Sequence, residues 1–109
     1  MWFIFPQLRA LGHSETAKFY GLAGLAEAEA YLAHPLLGPR LVQCCDVMRA
    51  HVDVGAQPVL GAVDGLKWRS CLTLFAHAHN APPLFADLIK LFYDGMEDGR
   101  TLDLLGLAD

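Results

Sequence analysis

Apolar residues recur at helical spacing along most of this 109-residue chain and predict a series of short α-helices. Strong helix formers occupy residues 25–34, and Pro35 ends that run. The following helix, which Pro39 can begin, carries one apolar stripe at positions i, i+4, i+7 and i+11. The stripe consists of Leu41, Cys45, Met48 and Val52.

Capping residues indicate where other helices begin. Ser14 and Asp98 are suitable N-caps for helices over residues 16–20 and 100–105, and Asp64 for a helix running to about His77. On the helix after Asp64 we expect an apolar face and a polar face. The apolar face holds Trp68, Cys71, Leu72 and Phe75, and the polar face holds Lys67, Arg69, Ser70, Thr73 and His77.

The remaining segments complete an all-α pattern. Residues 55–61 contain Pro58 and two glycines and predict a connector with room for one short helical turn. Residues 84–92 predict a helix closed by Asp94-Gly95. Residues 59–63 are the best strand candidate, although their alternation is short. We therefore predict one all-α domain over residues 1–109, a compact orthogonal bundle of about five to six short helices.

Composition narrows the classes of partner. Hydrophobic residues make up 54% and charged residues 18% of the chain, against a typical charged fraction of about 25%. Either the domain is very compact or part of its apolar surface is normally covered, so self-association is one expectation. The net charge is −4 and the eight Lys and Arg are scattered, which argues against nucleic acid. A local anion site remains open because it needs only two or three cations.

Cysteine and histidine positions argue against disulfides and metals. Three cysteines, two of them adjacent, fit no disulfide framework and indicate a reducing cytoplasm. The His77-x-His79 pair lacks the convergent ligands of a zinc site, so we expect no metal and no cofactor. The longest stretch without charged side chains, residues 70–86, contains two prolines and is not a membrane span.

Three segments are distinctive in combination: residues 2–7 (Trp-Phe-Ile-Phe-Pro-Gln), residues 31–41 (Tyr-Leu-Ala-His-Pro-Leu-Leu-Gly-Pro-Arg-Leu) and residues 67–75 (Lys-Trp-Arg-Ser-Cys-Leu-Thr-Leu-Phe). With residues 98–105 they resemble the bacterial family known as domain of unknown function 1810, over nearly the whole chain. The resemblance implies a compact all-helical domain without an assigned function. The label calpastatin, which some members carry, does not fit, because calpastatin inhibitory regions are disordered repeats.

The chain departs from that family at two places. Relatives have a further helical segment before the first motif, whereas this chain starts inside it, at Met1. The resemblance therefore implies an N-terminally truncated copy with uncovered apolar surface. Trp68, Cys71 and Leu72 stand where relatives usually carry Leu, Ser and Met.

Candidate ligand-binding residues lie near the start of the helix after Asp64. Lys67, Arg69, Ser70 and Thr73 supply two cations and two hydroxyls beside a helix N-terminus, which suits a phosphate or a carboxylate. The competing interpretation is a solvated polar face, with Arg69 paired to an acid and Thr73 bonded back to its own helix.

The aromatic opening supplies further candidates. Gln7 could recognise the polar edge of a ligand or hold a loop backbone in place. Trp2, Phe5 and Trp68 are expected in the core, or as the wall of a pocket for a flat ring. No glycine-rich phosphate loop or nucleophile–base frame is recognisable, so the pattern leaves open whether the protein is an enzyme.

Three hypotheses follow. The first is a pocket for an anionic or nucleotide-like small molecule, hydrolytic in one version that acts on ADP-ribose-type metabolites. It requires the segment of Gln7 and the helix of Lys67 to meet around one hollow. The second is a non-catalytic protein interaction module, and the third is an incomplete, inactive copy.

Overall fold

The chain forms a helical bundle in the computed structural model, which describes residues 4–12, 14–15, 21–79 and 81–107. These residues contain six α-helices and no strand beyond an isolated bridge between Leu8 and Leu22. The helices are α1 (Leu25–Ala33), α2 (Leu37–Met48), α3 (Ala56–Leu60), α4 (Ala62–Ala76), α5 (Leu84–Tyr93) and α6 (Gly99–Leu105). Short 3-10 turns cover Arg9–Leu11 and Arg49–His51. The all-α prediction is confirmed.

Helix α4 is the centre of the bundle, and α1, α3, α5 and α6 pack around it. Trp68, Leu72 and Phe75 have no exposed surface, as expected of an apolar face. Ser70 and Thr73 are buried too, so the competing interpretation of a solvated polar face is wrong for these two residues. Because neighbours cover α4 on several sides, a simple two-faced pattern does not describe it.

The start of α4 also differs from the prediction. Gly61, with φ of 91°, is the N-cap, and Asp64 lies within the first turn. The left-handed backbone of Gly61 allows α3 and α4 to follow each other directly. Residues 59–63 therefore join two helices, and the strand candidate there is wrong.

Other predicted boundaries agree closely with the structure. α1 ends before Pro35, and three of the four predicted stripe residues, Leu41, Cys45 and Met48, are buried on α2. The fourth, Val52, lies beyond the end of α2 and is half-buried. α2 begins at Leu37, so Pro39 is its third residue rather than its first. Proline is tolerated there because the first four N–H groups of a helix have no intrahelical partner. The helix predicted over residues 16–20 lies outside the described residues.

Aromatic side chains join α4 to its neighbours in the core. The Trp68 ring lies 6.1 Å from the Phe5 ring and 5.0 Å from the Phe92 ring, centroid to centroid. Farther along α4, the Phe75 ring lies 5.6 Å from that of Phe85. Tilted and edge-on pairs of this kind contribute about 0.5–1.5 kcal/mol each beyond their buried area.

Local backbone chemistry ends α5 and begins α6. Asp94 and Gly95 adopt positive φ angles of 54° and 80° and close α5 as predicted. Asp98 caps α6, since its Oδ2 accepts hydrogen bonds from the Thr101 N–H at 2.9 Å and the Thr101 hydroxyl at 2.6 Å. Among the described helices, none combines the length and apolar character needed to cross a membrane.

Candidate functional site

A concave surface of about 550 Å³ lies between the segment after Pro6, helix α4 and the start of α6. We call it the α4 cleft. Its volume falls in the range of about 300–1,000 Å³ that is usual for small-molecule sites. Its described lining consists of Gln7, Leu11, Gly12, Ser14, Leu66, Lys67, Ser70, Asp98 and Arg100. Gln7, Lys67 and Ser70, three of the residues singled out from the sequence, therefore meet in one cleft.

Gln7 is the least exposed polar residue of the cleft, with 2% of its surface accessible. Its side-chain Nε2 has no hydrogen-bond partner within the described part of the chain. Other groups hold this segment in place: the Gln7 carbonyl accepts from the Leu22 N–H at 2.9 Å, the Leu22 carbonyl accepts from the Arg9 N–H at 2.8 Å, and the Arg9 guanidinium donates to the Gly21 carbonyl at 3.2 Å. A buried donor without an acceptor costs about 1–3 kcal/mol, so the fold carries an unsatisfied group on a residue that lines the cleft.

Two cations border the cleft. Lys67 lies partly buried on α4, and Arg100 is exposed on the first turn of α6. Neither side chain has an ion-pair or hydrogen-bond partner among the described residues. The described lining thus has two cations and one carboxylate, in a chain whose net charge is −4. The cleft is locally more favourable for an anion than the protein as a whole.

Two of the oxygen acceptors of the cleft are held in fixed positions. The Ser70 hydroxyl, 7% exposed, donates its proton to the Leu66 carbonyl at 3.2 Å and keeps only its lone pairs for other partners. Oδ2 of Asp98 is occupied by Thr101, whereas Oδ1 has no partner in the described ranges. Ser70 and Asp98 can therefore accept hydrogen bonds from a bound molecule.

Arg69 and Thr73 lie away from the cleft and hold the chain before α6. Arg69 donates to the Met96 carbonyl at 2.7 Å and to the Glu97 carbonyl at 2.8 Å. Thr73, fully buried, donates to the Arg69 carbonyl at 2.8 Å and accepts from the Asp98 N–H at 2.9 Å. The structure thus places these two candidates where they position Asp98 rather than line the cleft.

The aromatic candidates belong to the core as far as they are described. Phe5 is buried and Trp68 has no exposed surface, so neither is a wall of the α4 cleft. Trp2 lies outside the described residues. Burial raises the pKa of the Cys45 thiol to about 12, an effect that the nearby Trp68 indole partly offsets. Burial likewise raises the pKa of Cys71 well above its ordinary value, so both thiols are unreactive core groups.

The histidine pair makes separate contacts. His77 Nε2 lies 2.9 Å from Oε1 of Glu97, and the His79 N–H donates to Glu29 at 3.2 Å. Over the ranges that the structure describes, no group of three His, Cys, Asp or Glu side chains could hold a metal ion.

Sequence reasoning missed Asp98 and Arg100 as cleft residues. The sequence predicts Asp98 only as an N-cap, and it is the N-cap of α6. Its cap fixes the start of α6 and therefore the position of Arg100, but no local pattern shows that α6 packs beside α4.

Comparison with known proteins agrees with the fold and with the earlier resemblance. A family model described as "Protein of unknown function (DUF1810)" matches residues 1–105. The chain is similar to the conserved hypothetical protein Rv1873 from Mycobacterium tuberculosis, whose crystal structure superposes with a TM-score of 0.89. The two sequences are 45% identical, and the match covers 96% of this chain and 75% of that one. No functionally curated protein matches the chain. Neither description assigns an activity, and the chain belongs to the family of proteins of unknown function DUF1810.

Proposed function

We propose that the α4 cleft binds a small anionic molecule that carries a phosphate or a carboxylate. The unsatisfied Nε2 donor of Gln7 is the observation that carries this proposal, because proteins seldom bury a polar group without a partner. An acceptor oxygen on a bound molecule would satisfy it. A water molecule could accept the same hydrogen bond, but the two cations that border the cleft argue for an anion.

The charges of the cleft favour a molecule with a localised negative group. Lys67 and Arg100 form no ion pair with a described acid, so an anion would meet cations that are not already paired. Charge-assisted hydrogen bonds of this kind are roughly twice as strong as neutral ones. Leu11 and Leu66 would contact the organic part of the molecule, which makes a nucleotide-like ligand compatible with the cleft.

Binding is the whole of the proposal, and hydrolysis is not part of it. The Ser70 proton is already donated to its own helix, and the described lining contains no histidine or cysteine that could activate a nucleophile. Asp98 is the single candidate base among the described lining residues, and one of its oxygens is committed to the cap of α6.

Replacing Gln7 by leucine separates a binding role from a structural one. If Gln7 serves a ligand, Gln7→Leu removes a buried unsatisfied amide and should raise the melting temperature while weakening anion affinity about tenfold or more. If Gln7 instead supports the loop, the same variant should melt earlier. Isothermal titration calorimetry with pyrophosphate and with AMP, beside thermal unfolding, measures both effects.

The cationic side of the cleft has a matched control on another helix. Lys67→Met keeps most of the apolar stem and should weaken pyrophosphate binding about tenfold, an effect that added salt should mimic. Lys90→Met removes an exposed charge from α5, outside the cleft, and should change the affinity little. Equal affinities in wild type and both variants would rule out the cleft as the anion site.

The alternative, a protein interaction module, rests on exposed apolar side chains. Leu36, Val63 and Leu66 are 74%, 65% and 63% exposed. Light scattering distinguishes this alternative from the small-ligand proposal. A purified chain that stays monomeric at high concentration and binds pyrophosphate favours the cleft, whereas a stable dimer without anion binding favours the module.

A further inference from the structure

The α4 cleft contains hydrogen-bonding groups of two opposite kinds. Gln7 Nε2, Lys67 and Arg100 can only donate to a bound molecule, and they suit an anion. Ser70 Oγ and Asp98 Oδ1 can only accept, because the Ser70 proton is already used and a carboxylate has none. A ligand that satisfied both kinds would carry an anionic group together with hydroxyl donors.

The acceptor side is rigid, which makes it selective. Both hydrogen bonds from Thr101 hold the Asp98 carboxylate, and Thr73 holds the Asp98 backbone N–H. Thr73 and Thr101 have no exposed surface, so neither exchanges partners with solvent. An oxygen fixed in this way needs no reorganisation to accept a ligand hydroxyl, and hydrogen bonds to a carboxylate are strong.

An anion without hydroxyl groups would bind poorly beside Ser70 and Asp98. It brings few protons, so Asp98 and Ser70 would receive no hydrogen bond from it. It would also lie near the negative charge of Asp98, which opposes its binding. A hydroxyl group attached to the anion reverses both effects, because it donates to the carboxylate that otherwise repels the ligand.

We infer that the ligand is a phosphorylated sugar or polyol, a deduction that rests on the proposed function of the same cleft. The phosphoryl oxygens accept from Lys67, Arg100 and Gln7, and the sugar hydroxyls donate to Asp98 Oδ1 and Ser70 Oγ. A free sugar phosphate and the ribose phosphate part of a nucleotide share this chemistry.

Calorimetric titration of the whole chain with three phosphate monoesters tests the inference. Methyl phosphate carries the charge without hydroxyls, ribose 5-phosphate carries both, and AMP adds a base. Ribose 5-phosphate, AMP or both should bind at least tenfold more tightly than methyl phosphate. The tighter of the two identifies the free sugar phosphate or the nucleotide as the source.

Asp98→Asn supplies a variant in which the two probes respond in opposite directions. Asparagine caps helices as well as aspartate does, so α6 should remain folded, which thermal unfolding verifies. The variant loses a negative charge and a hydrogen-bond acceptor. Methyl phosphate should therefore bind more tightly, and ribose 5-phosphate should lose most of its advantage. Ser70→Ala should reduce that advantage without helping methyl phosphate, and Asp87→Asn, outside the cleft, should change neither.

The possible failures are distinguishable. If the monoesters bind equally well and depend on Lys67, the sugar inference is wrong and the anion site stands. An advantage of ribose 5-phosphate that survives Asp98→Asn also overturns the inference. If no monoester binds and pyrophosphate does not bind either, the proposed function fails and the inference fails with it.

Discussion

Replacing Thr73 by valine tests how the last described helix is attached to the centre of the bundle. Thr73 has no exposed surface, and its hydroxyl accepts from the Asp98 N–H at 2.9 Å and donates to the Arg69 carbonyl at 2.8 Å. Valine keeps the volume and removes both hydrogen bonds. The Arg69 carbonyl still accepts the backbone hydrogen bond of its own helix, but the partly buried Asp98 N–H loses its acceptor.

The cost follows from that orphaned donor. A buried donor without a partner costs about 1–3 kcal/mol. For 109 residues the entropy of unfolding near the midpoint is about 0.23 kcal/mol/K, so the melting temperature should fall by about 4–13 °C. Because the lost bond holds the residue that caps α6, amide hydrogen exchange should quicken first in Gly99–Leu105.

Thr73→Ser is the matched control. Serine keeps the hydroxyl and removes one methyl group, worth about 0.8 kcal/mol when buried. Thermal unfolding followed by circular dichroism should therefore rank wild type above Thr73→Ser and Thr73→Ser above Thr73→Val. A valine variant as stable as the serine variant would refute the reasoning, because the hydroxyl would then contribute nothing to the attachment of α6.

Three further predictions concern stability and reactivity. Burial raises the pKa of Tyr93 from 10.0, and that of Cys45 from 9.0, to about 12, so these groups ionise first in the unfolded chain. The stabilisation that these groups provide in their neutral form should be complete below pH 9 and be lost as the pH rises towards 12. Urea titrations should show a shallower loss of the free energy of unfolding for Tyr93→Phe than for wild type, and an unchanged slope would contradict this. Gly38→Ala should lower the free energy of unfolding by more than about 2 kcal/mol, since the added Cβ would lie 2.0 Å from the Leu32 carbonyl oxygen. In Gly99→Ala the added Cβ meets no atom within 4 Å, so this control should be neutral or slightly stabilising. Equal urea midpoints for the two variants would be inconsistent with this packing. A thiol reagent should modify Cys44, which is partly exposed, faster than Cys45, and a fast phase that persists in Cys44→Ser would count against the described burial.

Features that depend on neighbouring residues were predictable from the sequence. The core stripe of α2 follows from helical spacing, and the closure of α5 at Asp94-Gly95 follows from which residues tolerate positive φ. The cap of α6 by Asp98 is equally local, because the carboxylate reaches an N–H three residues ahead. In each case the atoms that decide the outcome lie within a few turns of one another.

The burial of α4 was not predictable in the same way. Thr73 looks like a surface residue by its position in the pattern. It is buried, and its oxygen accepts from an N–H 25 residues away, because α6 packs against α4. The N-cap of α4 was misplaced because Gly61 has no side chain to mark it, while Asp64 has one. Residues that are distant in sequence therefore determine which polar side chains of α4 are buried.

The candidate site was predictable only in part. Unusual local sequence marks Gln7, Lys67 and Ser70 as candidates, and they line one cleft. The same pattern marks Arg69, yet its guanidinium donates to the backbone carbonyls of Met96 and Glu97. Arg100 was missed because its place in the cleft depends on how α6 packs beside α4.

The α4 cleft has walls from residues 7–14, from α4 and from the start of α6, which are far apart in the sequence. A bound molecule would therefore connect residues 7–14 to the start of α6 through contacts with α4. Any molecule that binds only the native state adds its binding energy to folding, about 2.7 kcal/mol at a hundred times its dissociation constant. If the proposed ligand occupies the cleft, the folded protein should unfold less often, and therefore be degraded more slowly, as the ligand concentration rises.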